Sequence, residues 1–115
     1  MTLFGWRLVR VAGDSMAPTL RDGDYVLARE RERATVGSVA LLRHPTFGSI
    51  IKRVKDRDDQ GRYRVAGDSS LSTSSDALGP MDASTIQALV RWRISPSGLH
   101  PMREVASRLH PTRTT

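Results

Sequence analysis

The sequence has no cysteine, no long apolar run and very little lysine. Without cysteine, a disulfide framework and thiolate metal sites are excluded. The longest apolar run is the four residues 39–42, far short of the roughly 20 that a membrane-spanning helix requires. The N-terminal segment is interrupted by Arg7 and Arg10 too early for a signal peptide. We therefore expect no membrane span and no cleavable leader in this chain.

The charge of the chain is strongly basic, and nearly all of it is arginine. The 115 residues carry a net charge of +6, with sixteen arginines and only two lysines, Lys52 and Lys55. A basic surface attracts nucleic acid or anionic lipid. The arginines are nevertheless scattered among acids, as in residues 29–33, and no recognition helix or aromatic-interleaved stripe accompanies them. We expect no nucleic-acid partner.

Short alternating segments separated by turn residues predict a mostly-β domain. The predicted strands are residues 7–11, 25–28, 38–43, 48–55, 62–66 and 85–94. Strand alternation in the last of these places Ile86, Ala88, Val90, Trp92 and Ile94 on one face. Residues 13–24 are irregular and 67–80 form a loop. We expect one domain over residues 1–98 and a poorly ordered basic tail over 99–115, with one helical turn around 103–109.

The most specific stretch is Gly-Asp-Ser-Met-Ala-Pro-Thr-Leu, residues 13–20. A serine after Gly-Asp and ahead of a proline lies on a constrained turn, which exposes its hydroxyl while its own N–H points at a substrate carbonyl. A nucleophile and part of an oxyanion hole can then come from one segment. Taken alone, Ser15 fits a turn or helix-capping serine equally well. The assignment therefore depends on finding a base.

The histidines are poor candidates for that base. His44 precedes a proline in a turn, and His100 and His110 each precede a proline in the tail. We expect all three to be solvated.

Lys52 is the better candidate. Residues 49–55 alternate so that Lys52 lies between Ile50 and Val54 on an apolar face, while Arg53 and Lys55 point away. Burial there lowers the pKa of the amine toward the range of a general base. An arginine at this position could not lose its proton. Because the chain otherwise prefers arginine, the presence of a lysine at this position is less easily explained by chance.

Four boxes in order resemble the signal peptidase I family, whose wider group (peptidase families S24 and S26) includes the self-cleaving LexA-type repressors. They are residues 13–20, Asp-Gly-Asp-Tyr-Val at 22–26, Ile-Lys-Arg-Val at 51–54 and Val-Ala-Gly-Asp at 65–68. The resemblance covers about residues 9–94. It implies a signal peptidase/LexA-like fold of short antiparallel strands with a compact catalytic core. It also implies a serine endopeptidase that uses a Ser–Lys dyad and needs no metal or cofactor.

The resemblance assigns roles residue by residue. Ser15 is the nucleophile and Lys52 the general base. Gly13, Asp14 and Met16 belong to the oxyanion hole and substrate cleft, where backbone N–H groups, including that of Ser15, are expected to carry most of the oxyanion's stabilisation.

The last box begins a supporting loop that contains Gly67, Asp68 and Asp76. Ser74 corresponds to the serine that orients the lysine. Ala77 and Leu78 stand where the family places Ser-Arg, which removes the residues expected to form the salt bridge of that loop.

The implied partner is a protein or peptide bound as an extended strand beside residues 13–15 or the Lys52 segment. The chain lacks a counterpart of the family's membrane anchor. In this it resembles the bacterial maturation protease that removes an N-terminal extension from nickel-type superoxide dismutase. We expect a cytoplasmic enzyme, with contact to a membrane surface left open. Two alternatives remain: a LexA- or UmuD-type regulatory domain that cleaves itself, and a catalytically inactive basic binding module.

Overall fold

Eight antiparallel strands dominate residues 2–70 and 78–102, the part of the chain that the computed structural model describes. They are β1 (Thr2–Leu3), β2 (Trp6–Arg10), β3 (Tyr25–Glu30), β4 (Val39–His44), β5 (Gly48–Arg57), β6 (Tyr63–Ala66), β7 (Ile86–Ser95) and β8 (Gly98–Pro101). A 3₁₀ turn, Ala83–Thr85, leads into β7. The predicted mostly-β fold class is confirmed. Within these ranges, no helix is long and apolar enough to cross a bilayer.

The strands form one sheet in the order β1-β2-β3-β7-β4-β5-β6, with β8 paired to β7. Strand β7 is central: β3 lies along one of its edges, while β4 and then β8 lie along the other. The β4–β5 hairpin aligns Ala40 with Lys52 and Val39 with Arg53. The last strand of the sheet, β6, reaches only as far as Ala66, which pairs with Arg53.

Two hydrophobic cores lie on opposite faces of this sheet. The first core comprises Val11, Met16, Leu20, Val26, Ala28, Val39, Leu41, Ala88, Val90 and Met102. The second core comprises Ala34, Ala40, Leu42, Val54, Tyr63, Val65, Leu78, Met81 and Leu89. Successive residues of β4 alternate between the two, as strand geometry requires. The β2–β3 connection covers the first core, and the residues before β7 help to cover the second.

The six predicted strands are all present, and two short strands were not predicted. Strand β1 has two residues, too few to show an alternating pattern. Strand β8 follows a tight turn after Ser95, where the run Ser-Pro-Ser-Gly indicates the end of a domain. The division between 98 and 99 stays a prediction. Residues 103–115, including the helical turn predicted around 103–109, lie outside the described part of the chain.

The prediction that alternate residues of β7 share one face is wrong. Val90 pairs with Ala28 in the first core, whereas Trp92 pairs with Leu27, which points to the other side of β3. A register shift between Leu27 and Ala28 separates these two pairs. An extra residue in one strand reverses the side on which all later side chains emerge. Ile94 therefore lies on the same side as Trp92, away from the first core. Ile86, beyond a second shift, packs against the second core.

The expectation that His44 is solvated is also wrong. The ring is buried at the β4–β5 turn. Its Nδ1 accepts hydrogen bonds from the backbone N–H groups of Thr46 (2.9 Å) and Phe47 (3.2 Å), and its Nε2 lies 2.9 Å from the carbonyl oxygen of Leu78. Because Nδ1 accepts, the proton is assigned to Nε2, which donates to Leu78. The ring thus joins the β4–β5 turn to the chain just before β7. His110 lies outside the described residues.

Replacing His44 with alanine is expected to lower the free energy of unfolding by about 1–3 kcal/mol, because the Leu78 carbonyl and two turn amides lose their partner. Urea denaturation measures this change. The matched control is His100→Ala, which removes an exposed bond to the hydroxyl of Ser97 and is expected to change stability by less than about 0.5 kcal/mol. Equal effects of the two substitutions would contradict the anchoring role of His44.

Candidate active site

Ser15 lies on the long connection between β2 and β3, which backbone hydrogen bonds close into a compact turn. At its base, the N–H of Val11 donates to the carbonyl of Asp24, and the N–H of Gly23 donates to the carbonyl of Val11, each at 2.8 Å. Near its tip, the N–H of Ala17 donates to the carbonyl of Asp14 at 3.1 Å. The segment that the sequence indicates as irregular is therefore well defined.

Buried side chains fix the turn against the sheet. Met16 and Leu20 are fully buried in the first core, and the peptide bond between Ala17 and Pro18 is cis. Ser15 itself is half-buried. Met16 therefore stabilises the turn from the core side, and its predicted contribution to the substrate cleft stays a prediction.

Gly13 and Asp14 are hydrogen-bonded to Asp22, near the end of the same connection. Gly13 has a φ of 82°, a conformation that glycine adopts without strain. Its N–H donates to Oδ1 of Asp22 at 2.7 Å, and the N–H of Asp22 donates to Oδ1 of Asp14 at 3.2 Å. These bonds shape the approach to Ser15. Because the Gly13 N–H is engaged by a carboxylate, the predicted oxyanion role falls mainly on other backbone N–H groups.

Asp24 supports the Ser15 turn, a role that the sequence did not predict. Its carboxylate is buried and accepts hydrogen bonds from the N–H of Arg21 (2.8 Å) and from Nε of Arg93 (2.9 Å). The bond to Arg93 ties the base of the Ser15 turn to β7. The Asp-Gly-Asp box was the available signal for Asp24, but no local pattern identifies a partner so distant in sequence.

Lys52 is buried in the middle of β5, with 4% of its surface exposed. It lies opposite Ala40 of β4 and between Ile50 and Val54, both of which pack in the second core. The predicted alternation of β5 is confirmed. Burial lowers the pKa of the Lys52 amine below its ordinary value, because a low-dielectric environment disfavours the charged form. The neutral amine that a general base requires is thereby favoured.

Arg53 emerges on the opposite face of β5 and is almost completely buried, with 1% of its surface exposed. Its Nε and one terminal nitrogen donate to the two carboxylate oxygens of Asp68, each at 2.8 Å, and the other terminal nitrogen donates to the carbonyl of Gly37 at 2.8 Å. Arg53 therefore points away from Lys52, as predicted. Its burial and its bidentate ion pair were not predicted.

Asp68 also joins this ion pair to the Ser15 turn. Its Oδ2 accepts a hydrogen bond from the buried hydroxyl of Thr19, and the neighbouring N–H of Ser69 donates to the carbonyl of Ser15 at 3.0 Å. Burial raises the pKa of the Asp68 carboxyl, but the hydrogen bonds from Arg53 and Thr19 outweigh it and leave the pKa below its ordinary value. The carboxylate is ionised and holds two chain segments together.

Gly67–Asp68 and the residues just after them therefore lie between the Ser15 turn and the strand that carries Lys52. Arg53 supplies the cation that pairs with Asp68. Ser74 and Asp76, the predicted lysine-orienting serine and second loop acid, lie outside the described residues, and their roles stay predictions.

An open strand edge lies next to this constellation. Strand β6 ends at Ala66, opposite Arg53, so from Gly48 to Ile51 the edge of β5 away from β4 has no neighbouring strand in the described ranges. Such an edge can accept an extended peptide through backbone hydrogen bonds.

In the described part of the chain, no group of three or more His, Asp or Glu side chains is arranged to hold a metal ion.

Comparison with known proteins adds one finding to this geometry. The family model described as Peptidase S24-like matches residues 6–74, more than half of the chain. The matched range contains the Ser15 turn, β5 with Lys52 and Arg53, and Asp68. No curated protein matches the chain.

Proposed function

The chain belongs to the Peptidase S24-like family, and from this premise we propose that it is a serine endopeptidase with Ser15 as nucleophile and Lys52 as general base. The family implies a serine hydrolase that acts on a protein substrate. The observation that carries the proposal is the buried Lys52 with its lowered pKa, and Ser15 is assigned from its Gly-Asp-Ser box. Arg53, next to Lys52 on β5, is tied to the Ser15 turn through Asp68, so this strand and the turn are neighbours, as a dyad requires.

The proposed cycle is acyl transfer. Neutral Lys52 takes the proton from the Ser15 hydroxyl as Oγ attacks the scissile carbonyl carbon. Backbone N–H groups, including that of Ser15, stabilise the oxyanion. The protonated Lys52 then donates to the leaving amine, which departs and leaves an ester on Ser15. Lys52 next deprotonates a water molecule, which hydrolyses the ester and regenerates the free hydroxyl.

The proposed substrate is an extended segment of a protein. The edge of β5 at residues 48–51 supports binding by strand addition next to the dyad. By resemblance to signal peptidase I, small side chains are preferred just before the cut, and the product is a protein freed of an N-terminal signal or pro-sequence. The precursor of a nickel-type superoxide dismutase is one specific candidate, and the family match adds no support for it.

Replacing Ser15 with alanine tests the proposal. Wild-type protein incubated with a peptide library from a bacterial proteome is expected to yield defined products by mass spectrometry. The Ser15→Ala protein is expected to yield none of them, because no acyl ester can form. In the wild type, acid quenching is expected to trap an adduct on the peptide that contains Ser15. The control Ser97→Ala, in the β7–β8 turn, is expected to cleave normally.

Other results would identify a different function. Unchanged products from the Ser15→Ala protein would reject Ser15 as the nucleophile. Cleavage confined to the chain itself, at a rate independent of dilution, would favour a self-cleaving regulatory domain. No cleavage by either protein, together with salt-dependent binding to nucleic acid, would favour an inactive basic module.

A further inference from the structure

Part of the side of the sheet that carries the second core presents apolar side chains that belong to neither core. In β2, Val9 packs against the first core, so Trp6, Leu8 and Arg10 emerge on the opposite side. In β3, Val26 lies in the first core. We define the outer face as the side chains of β2 and β3 that alternate with Val9 and Val26, together with Leu3 of β1, Trp92 and Ile94 of β7, and Leu99 and Pro101 of β8, which continue the same cross-strand rows.

Cross-strand pairs make the outer face continuous over five strands. Leu8 pairs with Leu27 and Leu27 with Trp92, which in turn pairs with Pro101 of β8. Residues paired in this way have adjacent side chains on the same side of the sheet. A second row of cross-strand pairs runs beside the first and ends at Leu99, a side chain that is 56% exposed. In the described part of the chain, none of these side chains belongs to a hydrophobic core.

The β1–β2 turn extends this face into solvent. Leu3 pairs with Trp6 and is 55% exposed, and Phe4 at the tip is 87% exposed. Phe4 has a φ of 52° and Gly5 a φ of 81°. Two-residue hairpin turns with positive φ at both positions favour Asn-Gly, and a bulky aromatic residue there is strained. Phe4 therefore costs stability through strain and through exposure, which points to a role outside the folded chain.

Cations outnumber acids on and around the outer face. Arg10 and Arg29 belong to it, and Arg91 and Glu32 line the same pocket as Trp6, Arg29 and Trp92, where Glu32 is paired with Arg91. The guanidinium of Arg29 lies 5.1 Å from the ring centroid of Trp6 and donates to the carbonyl of Phe4 at 2.9 Å, so it supports the tip. Exposed aliphatic groups, tryptophans and an excess of arginines over acids match the interface of an anionic bilayer, where aromatic rings and cations both bind favourably.

We propose that the outer face binds the surface of a bilayer that contains anionic phospholipid. Phe4 and Leu3 insert at the boundary between headgroups and acyl chains, and Arg10 and Arg29 lie near the phosphates. The outer face lies on β1, β2, β3, β7 and β8, whereas Lys52 lies on β5 and Ser15 on the β2–β3 connection, so the peptidase assay on a peptide in solution and the membrane assay can fail independently.

The sequence provides its own probe for this face. It contains two tryptophans, Trp6 and Trp92, and both lie on the outer face. Vesicles of phosphatidylcholine with added phosphatidylglycerol are expected to shift the tryptophan emission to shorter wavelength and to carry the protein in a flotation gradient. Vesicles of phosphatidylcholine alone are expected to bind more weakly, and added salt to weaken binding to the anionic vesicles.

Substitutions separate the apolar and cationic contributions. Phe4→Asn introduces a residue that the turn prefers, so the fold is retained, and it is expected to weaken vesicle binding about tenfold. Val36→Asn is the matched control, because Val36 is 61% exposed on the β3–β4 connection, and it is expected to leave binding unchanged. Arg10→Gln is expected to weaken binding about fivefold on anionic vesicles only.

The proposal is overturned if the wild type does not float with anionic vesicles, or if Phe4→Asn binds them as tightly as the wild type does. It is also overturned if the protein self-associates reversibly in sedimentation experiments without binding vesicles, since the outer face then contacts a second copy. Vesicle binding that Phe4→Asn and Arg10→Gln reduce while Val36→Asn does not supports it. Whatever the result of the vesicle experiments, the Phe4→Asn protein is expected to cleave a peptide in solution at the wild-type rate.

Discussion

Replacing Lys52 with methionine is expected to abolish peptide cleavage and to raise the free energy of unfolding. A general base contributes about 10²–10⁴ in rate, and methionine cannot accept a proton. Lys52 is buried between Ile50 and Val54, where the amine carries a desolvation cost that a thioether of similar length avoids. Loss of activity with gain of stability separates a catalytic lysine from a structural one, whose removal lowers both. Peptide cleavage and urea denaturation measure the two effects.

The pH dependence of the wild type follows from the lowered pKa of Lys52. Between that pKa and the unfolded value of about 10.4, the unfolded chain binds the proton and the folded chain does not, so the stability of the wild type rises with pH. The stability advantage of Lys52→Met is therefore expected to be largest below the lowered pKa and to shrink toward pH 10. The value of kcat/KM is expected to rise with pH across the lowered pKa, because the neutral amine is the active form.

Lys55→Met is the matched control, since these are the two lysines of the sequence. Lys55 is exposed, and its replacement is expected to leave cleavage and the pH profile unchanged. Retention of cleavage by Lys52→Met would refute the dyad. A decrease in its stability would show instead that the contacts of the amine stabilise the fold by more than its burial costs.

The local features of this molecule could be predicted from the sequence. Alternation over residues 49–55 correctly places Lys52 on an apolar face, and the Gly-Asp-Ser box correctly indicates a constrained turn. Both follow from strand period and turn chemistry, which act over a few residues. The mostly-β class follows from the same short-range signals.

The remaining features depend on contacts between distant segments. The register shift at Leu27/Ala28 moves Trp92 to the outer face, and no pattern within β7 encodes it, because it arises from pairing with β3. The hydrogen bonds of His44 need Leu78, and those of Arg53 need Asp68. A charged or polar residue whose local sequence suggests exposure can be buried when a residue from elsewhere in the chain provides its hydrogen bonds or its countercharge.

Replacing Asp68 with asparagine is expected to lower the free energy of unfolding by about 3–5 kcal/mol, because it leaves the charge of Arg53 buried without its counterion. It also weakens the link from Thr19 to β5, so the Ser15 turn loses part of its support. A positioning role predicts that kcat falls more than KM rises when cleavage is measured on the fraction that remains folded. A purely structural role predicts unchanged kcat for that fraction.

Acidification tests the same ion pair without a mutation. The pKa of Asp68 is lowered in the fold, so its stabilising contribution is complete above the unfolded value of about 3.9 and is lost as pH falls through the folded value. The difference in stability between wild type and Asp68→Asn is therefore expected to be constant near neutral pH and to narrow below about pH 4. A difference that does not narrow would mean that asparagine disturbs packing and that the ion pair is not the cause.

A second ion pair on the same sheet provides the control for burial. Asp56 pairs with Arg64 on β5 and β6, with side chains that are 46% and 54% exposed. The same chemical change, Asp56→Asn, is expected to cost about 0–1 kcal/mol and to leave kcat unchanged. The double variant Arg53→Met/Asp68→Asn is expected to recover part of the lost stability, since it removes the unpaired charge. It is not expected to recover kcat, because the bridge from β5 through Asp68 to the Ser15 turn is still broken.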